Sequence, residues 1–214
     1  MIQHRSTGDD TNTRNNQITG ILFIPDRSFP LRYSRFANRI YNMNLKPQDI
    51  VVLLKLIAQG REERPGYAAL SVSLGMSPSE VHAGVKRLIN AKLVDSKDQR
   101  PMRKPVQEFL IHGVKYAFPP QKGAITIGYP TGFAASPLNQ LINMGTDLPP
   151  VWPSAKGPVK GQAFTPLYKS VPDAIQNDPL LYELLALLDA IRDGRARERE
   201  IAAKELTRRI EHLV

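Results

Sequence analysis

The chain has 214 residues and 42% hydrophobic content, enough to bury a core and between the sizes of one large domain and two small ones. It holds no cysteine, which excludes disulfide frameworks, thiolate zinc sites and cysteine nucleophiles, and no apolar run near the roughly 18–20 residues that a spanning helix needs. The formal net charge of +9 suits a polyanionic partner and is unevenly spread: residues 45–122 carry thirteen Lys and Arg against seven Asp and Glu, whereas 173–214 carry seven against nine.

In chain order, residues 1–44 are rich in Asn, Thr, Arg and Asp, with one short apolar run at 18–24 too isolated to build a core, so disorder or loose packing is expected. Residues 1–16 are too polar for a secretory signal, and the chain reads as cytoplasmic without a membrane partner. Patterned sequence starts at Leu45, two residues after Met43, which makes Met43 rather than Met1 a candidate native start. From Pro47, the spacing of Ile50, Val51, Leu53, Leu54, Leu56 and Ile57 predicts a buried helix of about thirteen residues, with Gly60 as its stop.

Residues 67–74 form a second periodic segment, broken at Gly75-Met76, and Ser77-Pro78-Ser79-Glu80 then opens a third helix running to about Ala91. Ser77 caps, Pro78 suits the first turn because it has no amide proton to lose, and Glu80 completes a capping box. Leu93-Val94 reads as a short strand, 95–104 as a basic loop, 106–112 as a short helix ended by Gly113, and 114–118 and 124–129 as strands. Pro and Gly dominate from there to about residue 172, which predicts an irregular middle region. Asp178 and Pro179 then open a helix with an apolar stripe of Leu181, Leu184, Leu185, Leu188 and Ile191. After Gly194, a last amphipathic stretch carries Ile201, Leu206, Ile210 and Leu213, making 179–213 an αα-hairpin or one kinked helix.

Within 66–94, the residues Ala69, Leu70, Leu74, Gly75, Met76, Ser77, Val81, Val85, Arg87, Leu88 and Leu93 follow a pattern of short helix, Gly-apolar-Ser turn, second helix and exit to a strand. This pattern resembles the helix-turn-helix of winged-helix bacterial regulators such as the MarR-like families. One departure is Lys92, where glycine is common in such exits. The resemblance covers residues 45–94. It implies an α+β winged helix-turn-helix domain over 45–118, followed by the irregular region 119–173 and a C-terminal helical segment 174–214. It further implies sequence-specific binding of double-stranded DNA, transcriptional repression, and a homodimer formed through the C-terminal helices.

The residues themselves support a binding face. Val81, Val85, Leu88 and Ile89 fall on one side of the third helix, leaving Ser79, His82, Ala83, Lys86 and Asn90 outward, with Arg87 at the flank. Lys86 and Asn90 are candidates for base contact, since Lys favours guanine and Asn adenine. Ser77 and Ser79 offer amides and hydroxyls to a phosphate. Lys97, Arg100, Arg103 and Lys104 stand where a wing reaches the DNA backbone. Arg87 could equally pair with Glu80 or Asp95 to hold the fold, and His82 could be an inert surface histidine. A dimer would place two such helices on half-sites a helical turn apart.

The second reading is a protein-interaction module, such as an antitoxin or adaptor, in which 146–173 wraps a partner. Catalysis is not expected: Lys122 to Ser136 is rich in glycine but lacks GxxxxGK[ST] and GxGxxG, and neither HExxH nor GxSxG occurs. The four histidines have no metal-ligand spacing, and no cofactor is expected. The Arg192 to Arg199 run reads as a salt-bridged surface.

Overall fold

A computed structural model describes residues 44–60, 66–142 and 147–214. The expectations for residues 1–43, including the start at Met43, lie outside these. The architecture is α+β. Helix α1 (Pro47–Ala58) begins where Pro47 fits the first turn and the Asp49 carboxylate accepts from the Lys46 amide at 2.8 Å. It ends near Gly60, whose φ of +62° favours glycine. Ile50, Val51, Leu53, Leu54 and Ile57 are fully buried, so nearly the whole circumference of α1 faces protein.

Helix α2 (Tyr67–Leu74) stops at Gly75, φ +59°, and α3 (Pro78–Asn90) restarts three residues later with the capping box read from the sequence: the Ser77 hydroxyl accepts from the Glu80 amide at 3.2 Å, and the Glu80 carboxylate accepts from the Ser77 amide at 2.9 Å. The expected strand at Leu93-Val94 is a single bridge, Val94 to Pro101, that closes the loop 95–100. Lys92 accepts the left-handed backbone at φ +60°, in the position where its likeness had departed from glycine.

From Met102 onward the sequence expectation is corrected. Instead of a helix over 106–112 and a strand over 114–118, the chain runs helical from α4 (Arg103–Glu108) through one wide turn (Phe109–Gly113) into α5 (Val114–Ala117). Gly113 does not terminate it. Val106, Leu110 and Val114 recur at a spacing of four and are fully buried, which is a helical period that outweighs the β-branched composition of 114–118.

The irregular region is likewise more ordered than its composition suggests. Strand β1 (Lys122–Pro130) pairs antiparallel with β3 (Val159–Phe164) and then with β2 (Pro150–Pro153), and β2 runs parallel to β3, so the three strands close on one another. Closure this tight needs glycine: a Cβ on Gly128 would fall on the Trp152 carbonyl, and one on Gly161 on the Pro149 carbonyl. The short helices α6 (Leu138–Leu141) and α7 (Val171–Ala174) complete the middle of the chain.

Helix α8 (Pro179–Asp193), capped by Asp178 at the Leu181 amide (2.9 Å), and α9 (Ala196–Leu213) form the expected αα-hairpin about Gly194. Its apolar stripe is not an open seam, however. Leu181, Leu184, Leu185, Leu188 and Ile191 are all at most 2% exposed, because α8 packs against α1, α5, α9 and the turn Gly132–Ala134. The same hydrophobic cluster runs from α1 through α8 and α9, so the C-terminal helices are not a detached segment.

One polar node sits in this core. The Asp189 carboxylate accepts from Thr131 Oγ1 (2.9 Å), Trp152 Nε1 (2.8 Å) and Arg192 Nη1 (2.6 Å), and Arg192 Nε donates to the Phe118 carbonyl (2.9 Å). Burial pushes the Asp189 carboxyl up, against the pull of Arg192 and the two neutral donors. Nearby, the Tyr182 hydroxyl donates to the Pro130 carbonyl at 2.7 Å, and burial, aided by Tyr129, pushes that phenol up to about 12. Asp189→Ala leaves the buried Arg192 guanidinium without its carboxylate and with only the Phe118 carbonyl, and the expected cost in urea unfolding is about 3–5 kcal/mol. Thr131→Val, which removes one neutral donor, should cost about 1 kcal/mol. Equal midpoints for the Asp189 variant and the parent would show that the node does not tie the sheet to the helices.

Candidate functional site

Helix α3 presents two unlike faces. Val81, Val85 and Leu88 are fully buried against α1 and α2, and Ile89 is half-buried, as the spacing predicts. Gly84 lies where α3 crosses α1: a Cβ there would stand 3.1 Å from the Asp49 carboxylate. Ser79, His82, Lys86 and Asn90 are exposed on the opposite face, with Ala83 half-buried between them.

Arg87 departs from the sequence expectation. It is 7% exposed and makes a two-pronged contact with Asp49, which is fully buried: Nε donates to Oδ2 at 2.7 Å and Nη2 to Oδ1 at 2.6 Å. The hydrogen bonds to Asp49 raise the guanidinium above its ordinary value despite burial. The partner is neither Glu80 nor Asp95 but a residue on α1, and Arg87 leaves the outward set because its donors are spent inside.

The N-terminus of α3 carries the expected capping box, and that box closes the Ser77 amide that was also expected to be open to a phosphate. The Ser77 amide is taken by Glu80, and the Ser77 hydroxyl contacts both Glu80 Oε2 (2.9 Å) and Ser79 Oγ (3.0 Å). A carboxylate therefore stands where an open amide was expected. The Ser77 amide, then the Tyr168 hydroxyl and the Ser77 hydroxyl, hold Glu80 below the usual carboxylate range. Tyr168 donates its hydroxyl to Glu80 Oε1 at 2.8 Å, and Ser170 donates to the Leu74 carbonyl beside Gly75, so the segment before α7 fastens the α2–α3 turn. No spacing rule links residues 88 and 96 positions apart, and both contacts were invisible in the sequence.

Beside α3 lies the loop 95–100. Asp95 accepts from the Lys97 amide (2.7 Å) and Asp98 from the Arg100 amide (3.0 Å), so both acids turn onto their own backbone while Lys97 and Arg100 are exposed. Arg103 and Lys104, also exposed, occupy the first turn of α4, which holds no acidic residue. Cations there oppose the helix dipole and add to the positive potential of its end. Tyr67 joins the two parts: its ring meets His82 edge-on at 5.0 Å, and its hydroxyl donates to Gln99 Oε1 at 2.8 Å across from α2 to the loop. Tyr67 and Gln99 were absent from the sequence-derived set. His82 is thus an aromatic neighbour as well as an exposed donor.

Tyr67 thus links α3 to the loop, and the exposed residues of both include several cations. Lys86, Lys97, Arg103 and Lys104 have no acidic partner within ion-pair distance among the described residues. No metal-binding group of three or more His, Asp or Glu occurs among those residues, and none of their helices is long and apolar enough to cross a membrane. No family model, curated protein or solved structure matches this chain.

The geometry separates scaffold from surface energetically. Arg87→Ala leaves the Asp49 carboxylate buried and unpaired, and is expected to cost about 3–5 kcal/mol in denaturant unfolding. Ser77→Ala, which removes a solvent-exposed cap, should cost about 1 kcal/mol. Lys86→Ala and Lys104→Ala should lie within about 0.5 kcal/mol of the parent, as exposed unpaired residues do. An Arg87 variant as stable as the parent would return Arg87 to the surface set.

Proposed function

We propose that residues 45–118 form a winged helix-turn-helix that binds double-stranded DNA sequence-specifically and acts as a transcriptional repressor, with α3 in the major groove and the loop 95–100, followed by the start of α4, on the backbone. The observation that carries this reading is the set of exposed, unpaired cations on α3, the loop and the start of α4, with Tyr67 tying the loop to His82. Lys86, Lys97, Arg103 and Lys104 stand without acidic partners among the described residues, whereas Lys204, Arg208 and Arg209 on α9 are paired. Unpaired exposed cations are poised to replace the counterions of a phosphate chain.

In this reading Lys86 and Asn90 contact base edges, while Ser79 and the cations of the loop and α4 position the duplex. Arg87 and Ser77 act through the fold: the one sets the rotation of α3, and the other its start. Tyr67 holds the loop against α2 and so fixes the span between the groove contact and the backbone contact. The expected pair of half-sites rested on a dimer formed through the C-terminal helices, and the apolar stripe of α8 is buried within the chain. The proposal is accordingly confined to one recognition helix, and one half-site, per chain.

The test is fluorescence anisotropy on the DNA immediately upstream of the protein's own gene, against scrambled duplexes at several salt concentrations. Lys86→Ala should lose about 1–3 kcal/mol of discrimination between the two DNAs. Lys104→Ala should weaken all sequences alike and lower the salt slope by about 1. Absence of binding to any duplex at low salt would sink the proposal.

A further inference from the structure

The closure of the three strands leaves one side of β1 open. Strand β2 pairs with β1 only over residues 128–130, whereas β3 pairs with it over 122–128. Ile125 and Gln162 face each other in a pair that exchanges no hydrogen bonds: the Gln162 amide donates away from β1, to the Pro149 carbonyl at 2.9 Å. Two residues on, the Ile127 carbonyl accepts from the Ser154 amide at 3.0 Å, again away from β3. The Ile125 amide and carbonyl therefore point to the side where β2 makes no pairing. A bulge between Lys122 and Ile125 bounds this edge, so it accommodates a short segment.

The outer face beside the edge is apolar. Ile125 and Ile127 lie two apart on the strand and are 55% and 51% exposed, and their partners on β3, Gln162 and Lys160, are exposed on the same face. Residues 122–130 and 149–164 together hold three lysines and no acidic residue. Lys122 is paired with Asp193 at 2.6 Å. Lys160, and Lys156 in the turn after Ser154, are exposed and have no ion-pair partner among the described residues.

We propose that the open edge and outer face of β1 bind a short extended segment of a partner protein, apolar at alternate positions and acidic at the end beside Ile127. Its backbone pairs with the amide and carbonyl of Ile125, its apolar side chains cover Ile125 and Ile127, and its carboxylates meet Lys156 and Lys160. The competing occupants each leave a feature unanswered. A lipid surface offers no donor and acceptor in strand register to Ile125, a nucleic acid offers phosphates to the lysines but no apolar side chains, and a second copy of β1 brings lysine and no carboxylate. The surface shares no residue with α3 or the loop 95–100 and stands independently of the DNA reading.

The test uses the full chain in amide NMR with the peptide acetyl-Glu-Thr-Val-Thr-Val-Thr-Glu-amide, whose glutamates and valines share one face as a strand and whose ends serve either direction of docking. Saturable shifts of the Ile125, Thr126 and Ile127 amides are expected, with slowed hydrogen exchange at Ile125. Replacing both glutamates of the peptide by lysine, or both valines by serine, should weaken binding about tenfold. In the chain, Ile125→Ser with Ile127→Ser should weaken the first peptide to a similar degree, and Lys156→Glu with Lys160→Glu should reverse the preference in favour of the lysine-ended peptide. All four positions are exposed, so the thermal midpoint should stay near that of the parent. Absence of saturable shifts at millimolar peptide, equal binding of the glutamate- and lysine-ended peptides, or an unreversed preference in the folded lysine variant would overturn the proposal. So would the same amide shifts from phosphatidylserine vesicles or duplex DNA with none from the peptide. Should a variant lose its fold, the three peptides against the parent chain decide alone.

Discussion

The surface of this protein depends on a contact that never reaches it, the buried pairing of Asp49 with Arg87. Asp49 accepts from the Lys46 amide at the start of α1 and receives both prongs of Arg87 from the third turn of α3. Apolar packing of Val81, Val85 and Leu88 against α1 would tolerate some rotation of α3 about its axis. A planar guanidinium facing a planar carboxylate tolerates much less. With Arg87 directed inward, the helical period turns Ser79, His82, Lys86 and Asn90 outward together. The pair is a poor source of net stability, since removing both charges from water offsets much of their attraction, and its structural value lies in orientation.

The second half of the chain works as a bearing for the first. Helix α8 is apolar over most of its circumference, the pattern of a helix surrounded by protein, and it lies against α1, α5 and α9. Lys55 reaches from α1 to the cap residue Asp178 at 2.7 Å, and Arg192 reaches from α8 to the last turn of α5. Tyr168 and Ser170 close the ring by gripping the α2–α3 turn. The three-helix unit is therefore braced at its start, at its turn and after its loop.

Local rules carried the sequence reading where the determinants were local. Ser77-Pro78-Ser79-Glu80, the stops at Gly60 and Gly75, and the αα-hairpin around Gly194 each depend on residues within a turn of one another, and each appears as read. The reading failed where long-range burial outweighed composition. Val114 has a β-branched side chain and lies in a strand-like stretch, yet it completes a helical stripe with Val106 and Leu110. Residues 149–164, rich in Pro and Gly, look irregular because the same glycines that weaken strands permit three strands to close tightly. Half of the α3 surface was legible from periodicity. Arg87 was misplaced because its partner lies 38 residues away, and Tyr67 and Gln99 were missed because an edge-on ring contact and a loop hydrogen bond leave no trace in spacing.

The disposition of positive charge gives the same residue types two different roles. On α9, Lys204 meets Glu200 at 2.7 Å, Arg208 meets Glu205 at 2.9 Å, and Arg209 bridges Glu205 and Glu183. The exposed pairs contribute little to stability, but together with the part-buried Arg209 pairs they cancel much of the local field. Around α3 and the loop the acids do otherwise: Asp49 is buried, Asp95 and Asp98 fold onto their own amides, and Glu80 is held by Ser77 and Tyr168. Lys86, Lys97, Arg103 and Lys104 are thereby left without a neutralising acid among the described residues, and Arg103 and Lys104 also oppose the dipole of α4, a cost in folding free energy. A folded protein retains such a cost most readily where something outside it supplies the missing negative charge, and all four of these cations are exposed to receive it.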